Sequence, residues 1–97
     1  MTRLLTADAL AADLGPDRTL PLAELGETSV GVWEMAPGTE EDTEVDEVFV
    51  VLAGRGTVTF DDGETIELRP GVACRLTAGE HTVWTVTEPL RKVYITG

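Results

Sequence analysis

The sequence is short of the residues on which most site chemistry rests. Among 97 residues there is one cysteine, Cys74, and one histidine, His81. A lone cysteine excludes an internal disulfide and a zinc site built on thiolates. A lone histidine must serve any imidazole chemistry, so no Ser-His-Asp order stands out. Basic residues are also scarce: seven Lys and Arg face 18 Asp and Glu, for a net charge of −11. That balance lacks the basic stripe nucleic acid requires and disfavours an anionic membrane surface. It leaves the substrate open, because an acidic surface mainly sets solubility and repulsion. No apolar run reaches the roughly 18 residues of a membrane span, no charged-then-apolar leader opens the chain, and no Gly-rich phosphate loop precedes a helix. The expectation is one soluble cytoplasmic domain with a single core and little surplus stability.

What is present divides at about residue 28. Residues 1–28 are rich in Leu and Ala and read as an arm. Thr6 is placed to cap a short helix through about Leu14, which Gly15-Pro16 would end, and Pro21 favours extended chain beyond it. Residues 29–97 read as strands and turns. SVGVWEM is a strand, Pro37-Gly38 a turn, and DEVFVVL a second strand that ends at Gly54-Arg55-Gly56. TVTF and TIEL flank Asp61-Asp62-Gly63, a hairpin signal. VACRL, TVWTV and RKVYIT complete six or seven short strands, the pattern of an all-β sandwich or barrel. DEVFVVL is apolar on both faces, so one face needs the barrel interior and the other needs cover. A homodimer is the simplest source of it.

The order of these strands and glycines resembles the cupins. DEVFVVLAGRGTVTF is similar to the first cupin motif, with Glu47 and Gly54 at the family's separation. LRPGVACRLTAGEHTVW is similar to the second, with Gly71 and Gly79 as its glycines. The ending WTVTEPLRKVYITG, together with Trp33, resembles small single-domain cupins that share a domain type with ureidoglycine aminohydrolase. The resemblance covers about residues 30 to 97. It implies a cupin-type double-stranded β-helix, a jelly-roll barrel, here preceded by a short helical or extended arm. Metal-binding cupins place two histidines before the Glu and one after the second motif. Those positions fall here on Glu41 and Thr43, or Glu40 and Asp42, and on Thr82 beside His81. Glu47 alone keeps the ligand register, so no cofactor is favoured; the alternative is a divalent metal held by Glu41, Glu47 and His81.

Glu47 is therefore expected to face the barrel, as a polar anchor or general base. Trp33, Phe49 and Trp84 are expected to shape a pocket, with Tyr94 and His81 as further ligand-binding candidates. The acids Glu40, Glu41, Asp42, Glu44 and Asp46 read as a solvated loop. Cys74 reads as a small buried hydrophobe, and Arg91 and Lys92 as surface residues. The favoured function is a cupin that binds a small polar molecule in its barrel without a complete metal site. The alternatives are a metal-dependent amidohydrolase resembling ureidoglycine aminohydrolase, and a structural or regulatory dimer whose barrel is filled.

Overall fold

The computed structural model describes residues 3–97. Seven antiparallel strands follow one another: β1 (Thr19–Leu25), β2 (Thr28–Met35), β3 (Gly38–Thr43), β4 (Glu47–Phe60), β5 (Thr65–Leu68), β6 (Ala73–Leu76) and β7 (His81–Thr96). They pair in the order β1-β2-β7-β4-β5, with β3 also on β7 and β6 also on β4.

The two long strands define the architecture. The second half of β7 runs between β2 and the first half of β4, whose other edge carries β6. The first half of β7 runs between β3 and the second half of β4, whose other edge carries β5. Two sheet halves thus share β4 and β7 and close over one core, the jelly-roll arrangement. DEVFVVL and TVTF, expected as separate strands, are one bent strand. TVWTV and RKVYIT likewise fuse into β7.

The bend explains why the sequence reads as a break. The β4–β7 register shifts between Val51 and Gly56. Gly54 lies there at φ 96°, and a side chain on it would run into the backbone of Pro89. Only glycine meets both demands cheaply. Pro89 lacks an N–H, so it fits where the ladder is interrupted. Gly54-Arg55-Gly56 is therefore a bulge within a strand rather than a turn between strands.

Inward alternation along β4 and β7 builds the core. Phe49, Val51, Val58 and Phe60 from β4 meet Trp84, Val86 and Leu90 from β7, closed by Met35, Leu68 and Leu76. The expected hairpin forms at Asp61-Asp62-Gly63: Gly63 N–H donates to the Phe60 carbonyl at 2.9 Å and Asp62 accepts from Glu64 N–H at 2.9 Å.

Two segments differ from expectation. Most of the acidic run is not a loop. Gly38–Thr43 forms β3, exposed throughout, paired with β7 from Gly38↔Val86 to Thr43↔His81. Backbone pairing holds it, so its side chains carry no apolar alternation for a sequence reading to detect.

The arm takes the extended alternative. Residues 19–25 form β1 on β2, and no helix occurs among the described residues, so none is long and apolar enough to cross a membrane. Thr6 accepts from Asp8 N–H at 3.4 Å and Asp8 from Leu10 N–H at 3.0 Å, giving turns instead of a capped helix. The Ala9 and Ala12 carbonyls go elsewhere. They accept from the Arg91 guanidinium at 3.1 and 2.8 Å, while Arg91 Nε donates to Glu34 at 3.1 Å. Arg91, expected on the surface, is buried beneath the arm it fastens.

Hydrogen bonds to a charged group contribute about 1.5–3 kcal/mol each. Arg91→Ala is expected to lower unfolding free energy by about 2–3 kcal/mol in urea titration, and to speed proteolytic loss of the residues before Thr19. Unchanged stability and cleavage would remove Arg91 as the fastening point.

Candidate functional site

Lys92 is the only lysine in the chain. Lysine is among the residues least often buried, and this one was expected on the surface. Its side chain is instead 7% exposed, and its partner Glu47 is 10% exposed. Lys92 Nζ donates to Glu47 Oε2 at 2.6 Å.

Strand register places the pair. Lys92 lies opposite Trp33 on β2 and opposite Val51 on β4. Directly opposed residues share a face, so Lys92 enters the barrel beside Trp33 and Val51. Glu47, at the start of β4, points to the same interior. The ammonium then lies 4.7 Å from the Trp33 ring centre, 4.6 Å from that of Phe49 and 4.7 Å from that of Trp84. Trp84 is tilted against both Trp33 and Phe49, at 5.9 and 5.5 Å between ring centres. Each cation–π contact contributes about 0.5–2 kcal/mol, more as water is excluded.

Trp84 is itself oriented. Its indole N–H donates to Glu44 Oε2 at 3.1 Å and to Thr82 Oγ1 at 3.0 Å, and the Thr82 hydroxyl donates to the same carboxylate oxygen at 2.6 Å. Glu44 is buried, unlike the rest of the acidic run, and Thr82 is fully buried. Glu44, read from sequence as solvated loop, Thr82, read only as a vacant histidine position, and Lys92, read as surface, are site residues that pattern alone did not place here. Having only one lysine among seven basic residues was the available signal for Lys92.

An open cavity of about 380 Å³ lies over this floor. Trp33, Met35, Trp84, Tyr94, Glu47 and Lys92 line it, and Arg18, Glu40, Glu41 and Asp42 stand at its acidic rim. Its size falls at the lower end of small-molecule sites, roughly 300–1,000 Å³. Four ligand candidates, Trp33, Glu47, Trp84 and Tyr94, thus come together. Phe49 lies fully buried behind them and touches the site through the ammonium. Tyr94 depends on Gly31 opposite it, where any side chain would overlap the phenol ring. Burial, then the negative charge of Glu47 and Asp17, push the Tyr94 hydroxyl above its ordinary pKa.

His81 is not part of the lining. Its Nδ1 lies 3.2 Å from Asp61 and its Nε2 3.9 Å from Glu41, at the outer end of β7. Among the described residues no group of three or more His, Cys, Asp or Glu side chains is placed to hold a metal ion. The set Glu41, Glu47 and His81 does not converge, and Glu47 already bears an ammonium. A divalent cation bound there would meet like charge at close range in a poorly screened interior, so these residues do not fit the metal the cupin resemblance implies. Cys74, half-buried, has its thiol pushed up by burial, then by Glu64 and Glu80, against a smaller lowering by Lys92. It stays protonated at neutral pH and is a poor nucleophile.

Removing one member of a buried ion pair costs about 3–5 kcal/mol, while replacing both by apolar groups is often neutral. Glu47→Leu and Lys92→Met are each expected to lose about 3–5 kcal/mol, and the Glu47→Leu/Lys92→Met double variant to recover most of it. Additive losses in the urea-unfolding cycle would mean the two side chains act separately.

The sequence profile of the EutQ-like cupin domain matches residues 22–94. No curated protein matches the chain. Among solved structures, a protein of unknown function from Rhizobium leguminosarum bv. viciae is similar at 30% identity, over 99% of this chain and 95% of that one, with a TM-score of 0.79. The EutQ protein of Clostridium difficile is 26% identical over 80% of this chain, with a TM-score of 0.69. A structure assigned to ethanolamine utilization protein Q of Salmonella typhimurium shares the fold at 20% identity over 80% of this chain, with a TM-score of 0.70. This chain spans 64% and 66% of the lengths of those two proteins.

Proposed function

This chain belongs to the EutQ-like cupin domain family, and we propose that its barrel holds a small polar molecule over the Glu47–Lys92 pair, without a metal. The observation that carries this reading is the pair itself at the floor of an open cavity of about 380 Å³. A buried ion pair is rarely better for stability than well-packed apolar residues, so its presence in a cavity wall asks for another use. Lys92 Nζ has three N–H donors, of which one meets Glu47. The others are free to meet a ligand oxygen. Trp33 and Trp84 offer flat apolar surface beside it. Glu40, Glu41, Asp42, Glu44 and Glu47 outnumber Arg18 and Lys92 around the cavity. That imbalance repels anions and favours an uncharged polar ligand.

The metal-dependent amidohydrolase reading has less support, because the ammonium competes with any cation for Glu47. The filled-barrel reading leaves the cavity without a use. A second copy of the chain also enters the proposal. Val48 and Ile95 face each other across β4 and β7 at 40% and 39% exposure, with Val50 and Val93 beside them. This apolar strip lies on the outer side of β4, and an isologous dimer would cover it.

Both tryptophans of the chain line the cavity, so their emission reports its contents. A set of small uncharged polar compounds is expected to include some that change tryptophan emission saturably, and Trp33→Phe to diminish the change. Emission indifferent to every compound, together with no small molecule extracted from purified protein, would sink the binding reading. For the dimer, light scattering should give twice the chain mass for the wild type and one chain mass for Val48→Asp. A monomeric wild type at high concentration would end that part of the proposal.

A further inference from the structure

We propose that Lys92 forms a reversible imine with a small uncharged aldehyde that enters the barrel. This rests on the binding reading above and names the chemistry of the same site. Three observations converge on it. The only lysine of the chain lines the cavity rather than the surface. A proton acceptor, Glu47 Oε2, lies 2.6 Å from its nitrogen. Three aromatic rings stand 4.6–4.7 Å from that nitrogen, and the side chain is only 7% exposed. Lysine is the side chain suited to imine chemistry when desolvated beside a base.

The step balances within the site. The Lys92 ammonium passes one proton to Glu47 across their hydrogen bond. The freed nitrogen lone pair forms a C–N bond to the aldehyde carbon, and the carbonyl π electrons move to oxygen. A proton shift from nitrogen to oxygen gives a neutral carbinolamine. Glu47, now a carboxylic acid, returns its proton to the hydroxyl, the C–O bond breaks, and water leaves as the nitrogen lone pair forms C=N. Ammonium, carboxylate and aldehyde become iminium, carboxylate and water, with no redox change. The iminium keeps the positive charge of the ammonium, so its attraction to Glu47 and to the three rings persists through the reaction.

The surroundings select the carbonyl class. The acids at the rim, Glu40, Glu41 and Asp42, disfavour keto acids and phosphorylated aldehydes, which are anions. A cavity of about 380 Å³ suits a small compound. His81, the one imidazole of the chain, meets Asp61 outside the cavity and takes no part.

The test uses the full chain with propanal and sodium cyanoborohydride, read by peptide mass mapping. The chain's other primary amine is its α-amino group, so the two products are separable by peptide. A single propyl group on Lys92, formed at least about tenfold faster than on N-acetyl-lysine amide, is expected for a desolvated lysine beside its base. Glu47→Gln should slow the labelling by about tenfold or more through loss of the proton acceptor. Lys92→Arg, with its fold checked by circular dichroism, should label at the α-amino group alone. Wild-type labelling confined to the α-amino group, or no faster at Lys92 than on the free amide, overturns the proposal. A tryptophan-fluorescence titration with 1-propanol and propanal separates the failures. If the compounds bind saturably and Lys92 stays unlabelled, the imine fails and the binding site stands. If neither compound perturbs emission and no label forms, the imine fails, and the binding reading stands or falls on the wider compound set above.

Discussion

One ammonium ion inside an apolar barrel sets the terms for the rest of this structure. Lys92 cannot leave water without a counter-charge, because the cost of burying an unpaired ion is several kcal/mol. Glu47 supplies that charge at 2.6 Å. The pair then ties the first residue of β4 to the second half of β7. A one-residue slip of either strand would turn Lys92 or Glu47 outward and leave the other charge buried alone. The three rings that surround the nitrogen come from three strands, β2, β4 and β7. Register, aromatic packing and the cavity floor are thus consequences of where one positive charge resides.

The outer parts of the site adapt to that floor. Glu44 and Thr82 hold the Trp84 indole at the angle that presents its face to the ammonium. The opposition of Gly31 to Tyr94 leaves room for the phenol ring on the same wall. Arg91, the neighbour of Lys92, faces the other way and fastens the arm through the Ala9 and Ala12 carbonyls. Two adjacent basic residues thus serve opposite faces of one strand, as strand alternation requires.

The sequence made the barrel legible for clear physical reasons. Turn chemistry at Asp61-Asp62-Gly63, two-faced apolar patterning in DEVFVVL and the motif spacing around Glu47 each point to one fold. The fusion of strands into β4 and β7 was hidden because a bulge and a turn both call for glycine. Lys92 was hidden for a different reason. In RKVYIT the apolar residues Val93 and Ile95 alternate with Lys92 and Tyr94, and ordinary patterning would turn the valine and isoleucine inward. The barrel does the reverse, with Ile95 exposed and Lys92 buried. Glu44 was grouped with its exposed neighbours because a buried carboxylate and a solvated one are indistinguishable until the partners, here Thr82 and Trp84, are known.

The positive charge beside Glu47 belongs to the protein itself, so the surroundings of that nitrogen decide how the site is built. Because the chain has one lysine, labelling with ¹⁵N-lysine and ¹³C-lysine gives side-chain NMR signals from Lys92 alone. The ε-methylene resonance is expected upfield, displaced by the three aromatic rings, with an ammonium that exchanges slowly with water; both properties should be lost in Glu47→Ala. An ε-methylene at the position of free lysine, with rapid exchange in the wild type, would place the side chain in solvent and rule out a buried Glu47–Lys92 pair.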